Sequence, residues 1–214
     1  MRRCFVTGTD TDVGKTHVTA VLARAAGSRG TVLAAKPVAS GGAHLGPGED
    51  ALRLAAAGGH APLQFAGYRA PLSPHRAAAL DGADLDVPGL LRWVNALRAD
   101  TVLVEGAGGW RVPLAPGFDI ADLAHAWGAP VLVVAADRLG VLNHTRLTVD
   151  AVRARGCTVA GVVLNRLNPD ASSAWNEADL RACLDVPVAV LPSVHLTDER
   201  ATITLGLAIW AQIG

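Results

Sequence analysis

A chain of 214 residues, half of them apolar, fits one α/β domain (residues 1–214) around a large core. Its 19 basic and 19 acidic side chains cancel, which argues against the basic excess or stripe of a nucleic-acid surface. No apolar run reaches the roughly 20 residues that span a bilayer, and the apolar stretch before Gly8 is too short for a secretory leader. Cys4, Cys157 and Cys183 lack metal-ligand spacing, so buried thiols in a reducing compartment and a cytoplasmic location are expected.

In chain order, short and almost continuously apolar runs predict strands at Cys4–Thr7, Thr31–Ala35, Thr101–Glu105, Val131–Ala135, Thr158–Leu164 and Val188–Leu191. Between them, helical patterns cover Lys15–Ala26, Glu49–Ala57, Val87–Arg98, Ile120–Trp127, Val141–Arg155, Ala171–Leu184 and Asp198–Ile213. This alternation predicts a doubly wound, mostly parallel sheet with helices on both faces. The stretch from Gly41 to Pro74 is the least regular. In such sheets ligands sit beyond the carboxyl ends of the strands. Gly8–Thr16, Lys36 and Glu105–Gly109 all follow predicted strands, as does Asn165 later in the chain.

The run Gly8-Thr-Asp-Thr-Asp-Val-Gly-Lys-Thr16 leaves a strand and opens a helix, the context a phosphate-binding P-loop requires. Backbone N–H groups would cradle phosphates, Lys15 would reach the terminal ones, and the Thr16 hydroxyl would bind Mg²⁺. The spacing is one residue longer than the standard pattern, with Thr9 in the place of a usual Gly. Glu105, at the end of a strand, is a carboxylate able to hold Mg²⁺ beside that loop. Gly106-Ala107-Gly108-Gly109 then offers backbone close approach to an oxyanion. Asp50 by itself reads as a helix N-cap, as does Asn143. His75, in Ser73-Pro74-His75, reads as an ordinary loop histidine. Asn165-Arg-Leu-Asn168 lacks the Asp that GTP-specific folds of this class place three residues after such an Asn, which favours adenine. Seventeen of the 19 basic residues are Arg; Lys15 and Lys36 are the two exceptions. A site that fits a compact ammonium against a phosphate or small anion resists the wider guanidinium.

The segments GTDTDVGKT, KPVASG (Lys36–Gly41), EDAL (Glu49–Leu52), SPH, VEGAGGW (Val104–Trp110) and LGVLNH (Leu139–His144) occur in this order. Together they resemble the dethiobiotin synthetase family, ATP-dependent cyclo-ligases of biotin biosynthesis, from about residue 3 to about residue 168. The longer P-loop is itself a mark of that family. The resemblance implies a P-loop NTPase-type fold and a homodimer with shared active sites. It implies ATP and Mg²⁺, with 7,8-diaminononanoate and CO₂ or bicarbonate as the other substrates. By residue, it implies that Asp12, Val13, Gly14, Lys15, Thr16 and His17 line the phosphates, with Gly106, Ala107 and Gly108 also on the nucleotide side. Thr16, Asp50 and Glu105 hold the metal, and Lys15 and Lys36 surround the carbamate and γ-phosphate as catalytic groups. Thr11 and Ser40 contact the diamine, and Asn165 faces adenine. Pro192 is the sole match to the family's adenine-side loop. Gly140, Val141, Leu142 and Asn143 receive the substrate carboxylate in the partner's site. Asp12 stands where Glu is common, which matters little for a backbone contact. The rival readings are a partition- or switch-type ATPase of the same superfamily, a glutamine-dependent cofactor amidase and a small-molecule kinase.

Overall fold

The computed structural model describes residues 1–214. Six strands form one wholly parallel sheet: β1 (Arg2–Gly8), β2 (Val32–Ala35), β5 (Thr101–Gly109), β8 (Val131–Ala136), β9 (Val159–Arg166) and β10 (Val188–Pro192). Their spatial order is β10-β9-β8-β1-β5-β2. The chain leaves β1 toward the β2 edge, returns in β5, and then builds outward through β8. The order therefore reverses beside β1, the position where open α/β sheets bind ligands.

Alternation is hidden in the sequence because both faces are covered. Phe5, Val102, Val104, Val131 and Val133 pack into one core, while Cys4, Val6, Leu103, Leu132 and Val134 pack into the other. Period-2 geometry sends neighbours to opposite faces, so a strand buried on both sides must be apolar throughout. The second core lies under α1 (Lys15–Gly27) and α8 (Glu199–Ile213), which touch closely. A Cβ on Gly206 would sit 2.5 Å from the Ala25 Cβ and 2.6 Å from the Val21 carbonyl oxygen, so only glycine allows this approach. Trp210 fixes the pairing by donating Nε1–H to the Leu22 carbonyl at 3.1 Å.

The structure adds elements to the expected ones. A short α3 (Pro74–Leu80) follows Ser73, and two small pairs, β3 (Val38–Ala39) with β4 (Ala66–Gly67) and β6 (Pro113–Ala115) with β7 (Phe118–Asp119), decorate the loops. The expected helix Ala171–Leu184 is instead a 3₁₀ turn at Ala171–Ala174 followed by α7 (Asn176–Cys183). Asp170 closes a capping box with Ser173 and so starts the chain on a tight turn before the helix begins.

Six of the eight α-helices start in one of two ways. Asp86, Asp119 and Asp198 accept backbone N–H groups at the starts of α4 (Val87–Ala96), α5 (Ile120–Trp127) and α8. By contrast, α1, α2 (Glu49–Gly58) and α6 (Val141–Ala154) begin at Gly14, Gly48 and Gly140 with no side-chain cap. Asp50 and Asn143 are therefore not N-caps, contrary to the reading from sequence: each lies inside its helix, and glycine holds the cap position. No helix is long and apolar enough to cross a membrane.

The cysteines are not all buried, contrary to the reading from sequence: Cys4 is, Cys157 is half-buried and Cys183 lies at the surface. Burial pushes the Cys4 thiol up to about 12, whereas Cys183 is exposed. Iodoacetamide at pH 8 is expected to label Cys183 in the folded protein and to reach Cys4 only after denaturation. Peptide mapping before and after guanidinium treatment checks this; prompt native labelling of Cys4 would show that β1 is not closed under α1.

Candidate active site

The loop after β1 folds back on itself. A Cβ on Gly8 would meet the Val13 side chain at 2.7 Å and the Asp10 carbonyl oxygen at 2.9 Å. Asp12 has φ 56 and Gly14 has φ 87, two left-handed positions of the kind that build anion-binding backbone nests. Lys15 crosses under it and donates from Nζ to the Asp10 carbonyl at 2.9 Å. With α1 uncapped, its first N–H groups are free for an anion.

Sheet register then assembles the rest. Ala35 of β2 pairs with Val104 of β5, so Lys36 and Glu105 emerge side by side. Val6 of β1 pairs with Glu105, which places that carboxylate under the P-loop. Glu105 is completely buried. The apolar pattern predicts that its strand stops there, yet β5 runs on to Gly109, which pairs with Gly8.

Four side chains meet at this point. Thr16 Oγ1 lies 2.7 Å from Asp50 Oδ1 and 2.8 Å from Glu105 Oε1. Lys36 Nζ lies 2.7 Å from Asp50 Oδ2 and 2.6 Å from Glu105 Oε1, and donates to the Gly106 carbonyl at 3.1 Å. Glu105 Oε2 is buried without a partner. Burial works to lower the Lys36 pKa, but Glu105 and Asp50 outweigh it and hold the ammonium charged. Burial likewise tends to raise Asp50, and Lys36 overrides it, keeping the carboxylate ionised. Lys15 is pushed down to about 8, first by burial and then by the positive charge of Lys36.

Above this cluster opens a cavity of about 420 Å³. Thr11, Asp12, Gly14, Lys15, Thr16 and His17 form one wall. Lys36, Ser40, Asp50, Ala107 and Gly108 form the others. Sequence reasoning missed three lining residues, Ala39, Arg53 and Leu167. Arg53 was within reach, because it lies three residues after Asp50 and so shares its helix face. His17 Nε2 is buried without a partner. Its pKa is lowered, first by burial and then by Arg53 and His195.

The other expected site residues lie elsewhere within one chain. Val13 is buried beneath the loop. Asn165, also buried, donates Nδ2–H to the Val13 carbonyl at 3.0 Å, so it braces the P-loop from below, and its Oδ1 has no partner. Pro192 is exposed at the end of β10. Val141 borders a small hollow on the other side of the loop, beside Thr9 and Asp10, at the start of α6. Leu142 is half-buried and Asn143 exposed. His75 contacts its neighbour Ser73, with Nδ1 3.1 Å from Oγ.

The donor set suits a hard divalent cation. A hydroxyl and two carboxylates offer only oxygen, and an ion such as Mg²⁺ binds through one or two carboxylates while keeping waters and substrate phosphates. The unpartnered Glu105 Oε2 is a spare buried acceptor in the same place.

A parallel sheet with a glycine-bordered Lys-Thr loop after its central strand defines a P-loop nucleotide-binding protein. In fold the chain is similar to the cell division ATPase MinD of Pyrococcus furiosus, with a TM-score of 0.60 at 18% identity over 99% of each chain. It is also similar to a putative plasmid partition protein of Borrelia burgdorferi bound to AMPPNP, with a TM-score of 0.57 at 10% identity over 97% of this chain and 98% of that one. An AAA-domain family model matches residues 2–201. The chain is 47% identical to the ATP-dependent dethiobiotin synthetase BioD of Anaeromyxobacter dehalogenans, covering 100% of this chain and 99% of that protein. The same enzyme of Aromatoleum aromaticum is 41% identical, covering 92% and 93%. The chain belongs to the family of ATP-dependent dethiobiotin synthetases, ligases of biotin biosynthesis.

Proposed function

We propose that the chain closes the ureido ring of dethiobiotin from 7,8-diaminononanoate, CO₂ and ATP, releasing ADP and phosphate. The observation that carries this reading is the meeting of Lys36, Thr16, Asp50 and Glu105 beneath a P-loop cavity that Lys15 also lines.

The chemistry needs preorganised charge and no nucleophilic side chain. One amine of the diamine attacks CO₂ and loses a proton, giving a carbamate. A carbamate oxygen attacks the γ-phosphorus of ATP, the bond to the β,γ-bridging oxygen breaks, and ADP leaves. The second amine then attacks the carbonyl carbon of the mixed anhydride. The bond to the phosphate oxygen breaks, and loss of a proton leaves the five-membered ring. Both amines belong to one molecule, so closure gains from proximity. Negative charge gathers on the carbamate, the γ-phosphoryl oxygens and the departing phosphate in turn. The Lys15 and Lys36 ammonium groups and the free N–H groups at the start of α1 are fixed positive groups of the kind that stabilise it. Thr16, Asp50 and Glu105 would hold Mg²⁺, which supplies Lewis-acid stabilisation of phosphate charge. Thr11 and Ser40 border the same cavity and serve the diamine in this reading. The unpaired Oδ1 of Asn165 is an acceptor of the type that the exocyclic amine of adenine requires, and it is buried beside the P-loop until a nucleotide displaces its cover. We propose further that the protein is a homodimer and that the start of α6, which is not part of the cavity wall within one chain, receives the substrate carboxylate in the partner's site.

Incubation with diaminononanoate, bicarbonate and MgATP is expected to yield dethiobiotin, detected by mass, with one ADP per product. ATP turnover that ignores the diamine would instead favour a switch-type ATPase.

A further inference from the structure

The Lys36 ammonium has three N–H groups, and all three are spent inside the cluster, on Glu105, Asp50 and the Gly106 carbonyl. None is left for a phosphate or a carbamate. The two carboxylates it holds are also the two that, with Thr16, offer a divalent cation its protein oxygens. Lys36 and the cation therefore compete for one pair of anions.

We propose that Lys36 is a built-in stand-in for the divalent cation. Its ammonium keeps Asp50 and Glu105 paired and in place, and entry of the cation releases it toward the anionic substrates. This deepens the proposed function and rests on its reading of Thr16, Asp50 and Glu105 as cation ligands.

Charge favours the exchange. Lys15, Lys36, Asp50 and Glu105 sum to zero in a cluster whose Glu105 is completely buried. An arriving divalent cation would leave two uncompensated positive charges there, so the ammonium and the cation repel at short range. The nucleotide brings the phosphate oxygens that take up the excess, and those oxygens are the partners a released Lys36 needs. The side chain suits the move. Lysine is a point charge on a flexible stem, whereas an arginine fork would lock the carboxylates in a planar bidentate pair. The spare Glu105 Oε2 fits the same account: the ammonium engages only Oε1, leaving the carboxylate half used.

The test exploits the fact that the chain has two lysines, Lys15 and Lys36. Protein labelled with ¹³C-lysine should show two Cε signals, assigned by Lys15→Met and Lys36→Met. Addition of ADP with EDTA should move mainly the Lys15 signal, and addition of Mg²⁺ to that sample should then shift the Lys36 signal strongly. In parallel, Mn²⁺ binding to nucleotide-free protein is followed by electron paramagnetic resonance. Lys36→Met should bind Mn²⁺ about ten-fold more tightly or better, because an opposing charge at this range is worth roughly one to three logarithmic units. Glu105→Gln should weaken Mn²⁺ binding in the presence of ADP by a similar factor. If Glu105→Gln leaves Mn²⁺ binding unchanged, the cation site itself is wrong and this inference falls with it. If Glu105→Gln weakens binding, yet the wild-type Lys36 signal is indifferent to Mg²⁺, the cation site stands and the stand-in role is refuted. The wild-type spectra decide the matter even if Lys36→Met folds poorly.

Discussion

Gly14→Ala is expected to lower kcat/KM at least about 100-fold while leaving the chain folded, since misplacement of reacting groups by about 1 Å costs that much. Gly14 has φ 87, and a Cβ built there would lie 1.9 Å from Asn165 Nδ2. Asn165 cannot simply turn away, because that amide donates to the Val13 carbonyl. Either the brace under the P-loop breaks or the loop opens, and both outcomes displace Lys15 and Thr16, the next two residues. The left-handed backbone adds roughly 1–2 kcal/mol of strain for any residue with a Cβ. Gly59 separates the two causes. It has φ 68, a Cβ added to it would meet nothing within 4 Å, and it lies outside the cavity. Gly59→Ala should therefore lose stability on thermal melting yet bind MgADP as the wild type does. Gly14→Ala should lose both, with calorimetry showing MgADP binding weakened by a similar factor. Wild-type MgADP affinity in Gly14→Ala would mean that the tight fit over Asn165 has no part in holding phosphate.

The parts of the site legible in sequence are those written in consecutive residues. Gly8–Thr16 declares itself because strand, loop and helix follow one another, and the central strands show as apolar runs because both faces are buried. The ion cluster was not legible as geometry. Lys36 and Glu105 are 69 residues apart, and only the register of β2 on β5 sets them side by side. Until that register is known, two lysines among many arginines are a compositional oddity. The Gly106–Gly109 segment misleads for a different reason. Glycine has little intrinsic preference for strands, so β5 reads as ending at Glu105, but pairing with the end of β1 carries it on. The Asp50 and Asn143 caps failed because an acidic or amide residue near a helix start fits a cap and a ligand equally well. What distinguishes them is the preceding glycine, Gly48 or Gly140, in the cap position with no side chain to offer. The helix α3 escaped because seven residues, four of them Pro or Ala, carry too little periodicity to register.

Mixing two inactive variants is expected to regenerate roughly a quarter of wild-type activity, provided the subunits pair at random in a two-fold dimer. The first variant is Lys15→Ala, which removes an ammonium from the cavity wall where the proposed function puts the phosphates. The second is Asn143→Asp, at the exposed third residue of α6. That helix start has a glycine cap, and although the Val141 N–H donates to the Arg138 carbonyl, the next two N–H groups are unpaired, so it favours a carboxylate. An aspartate there suits the helix dipole and should not disturb folding, but it places a like charge where the diamine's carboxylate would sit. In the proposed arrangement each site takes its P-loop from one subunit and its carboxylate receptor from the other. A mixed dimer then concentrates both lesions in one site and leaves the second site intact. Half of randomly paired dimers are mixed, and half of their sites work. The two variants should be denatured and refolded together, with each refolded alone as control, and native mass spectrometry should establish that mixed dimers formed. Within a single chain, Asn143 is exposed and absent from the cavity wall, so complementation has no route if each site is built from one subunit. A mixture as inactive as its components, with mixed dimers present, would therefore confine each site to one chain and remove Asn143 from it.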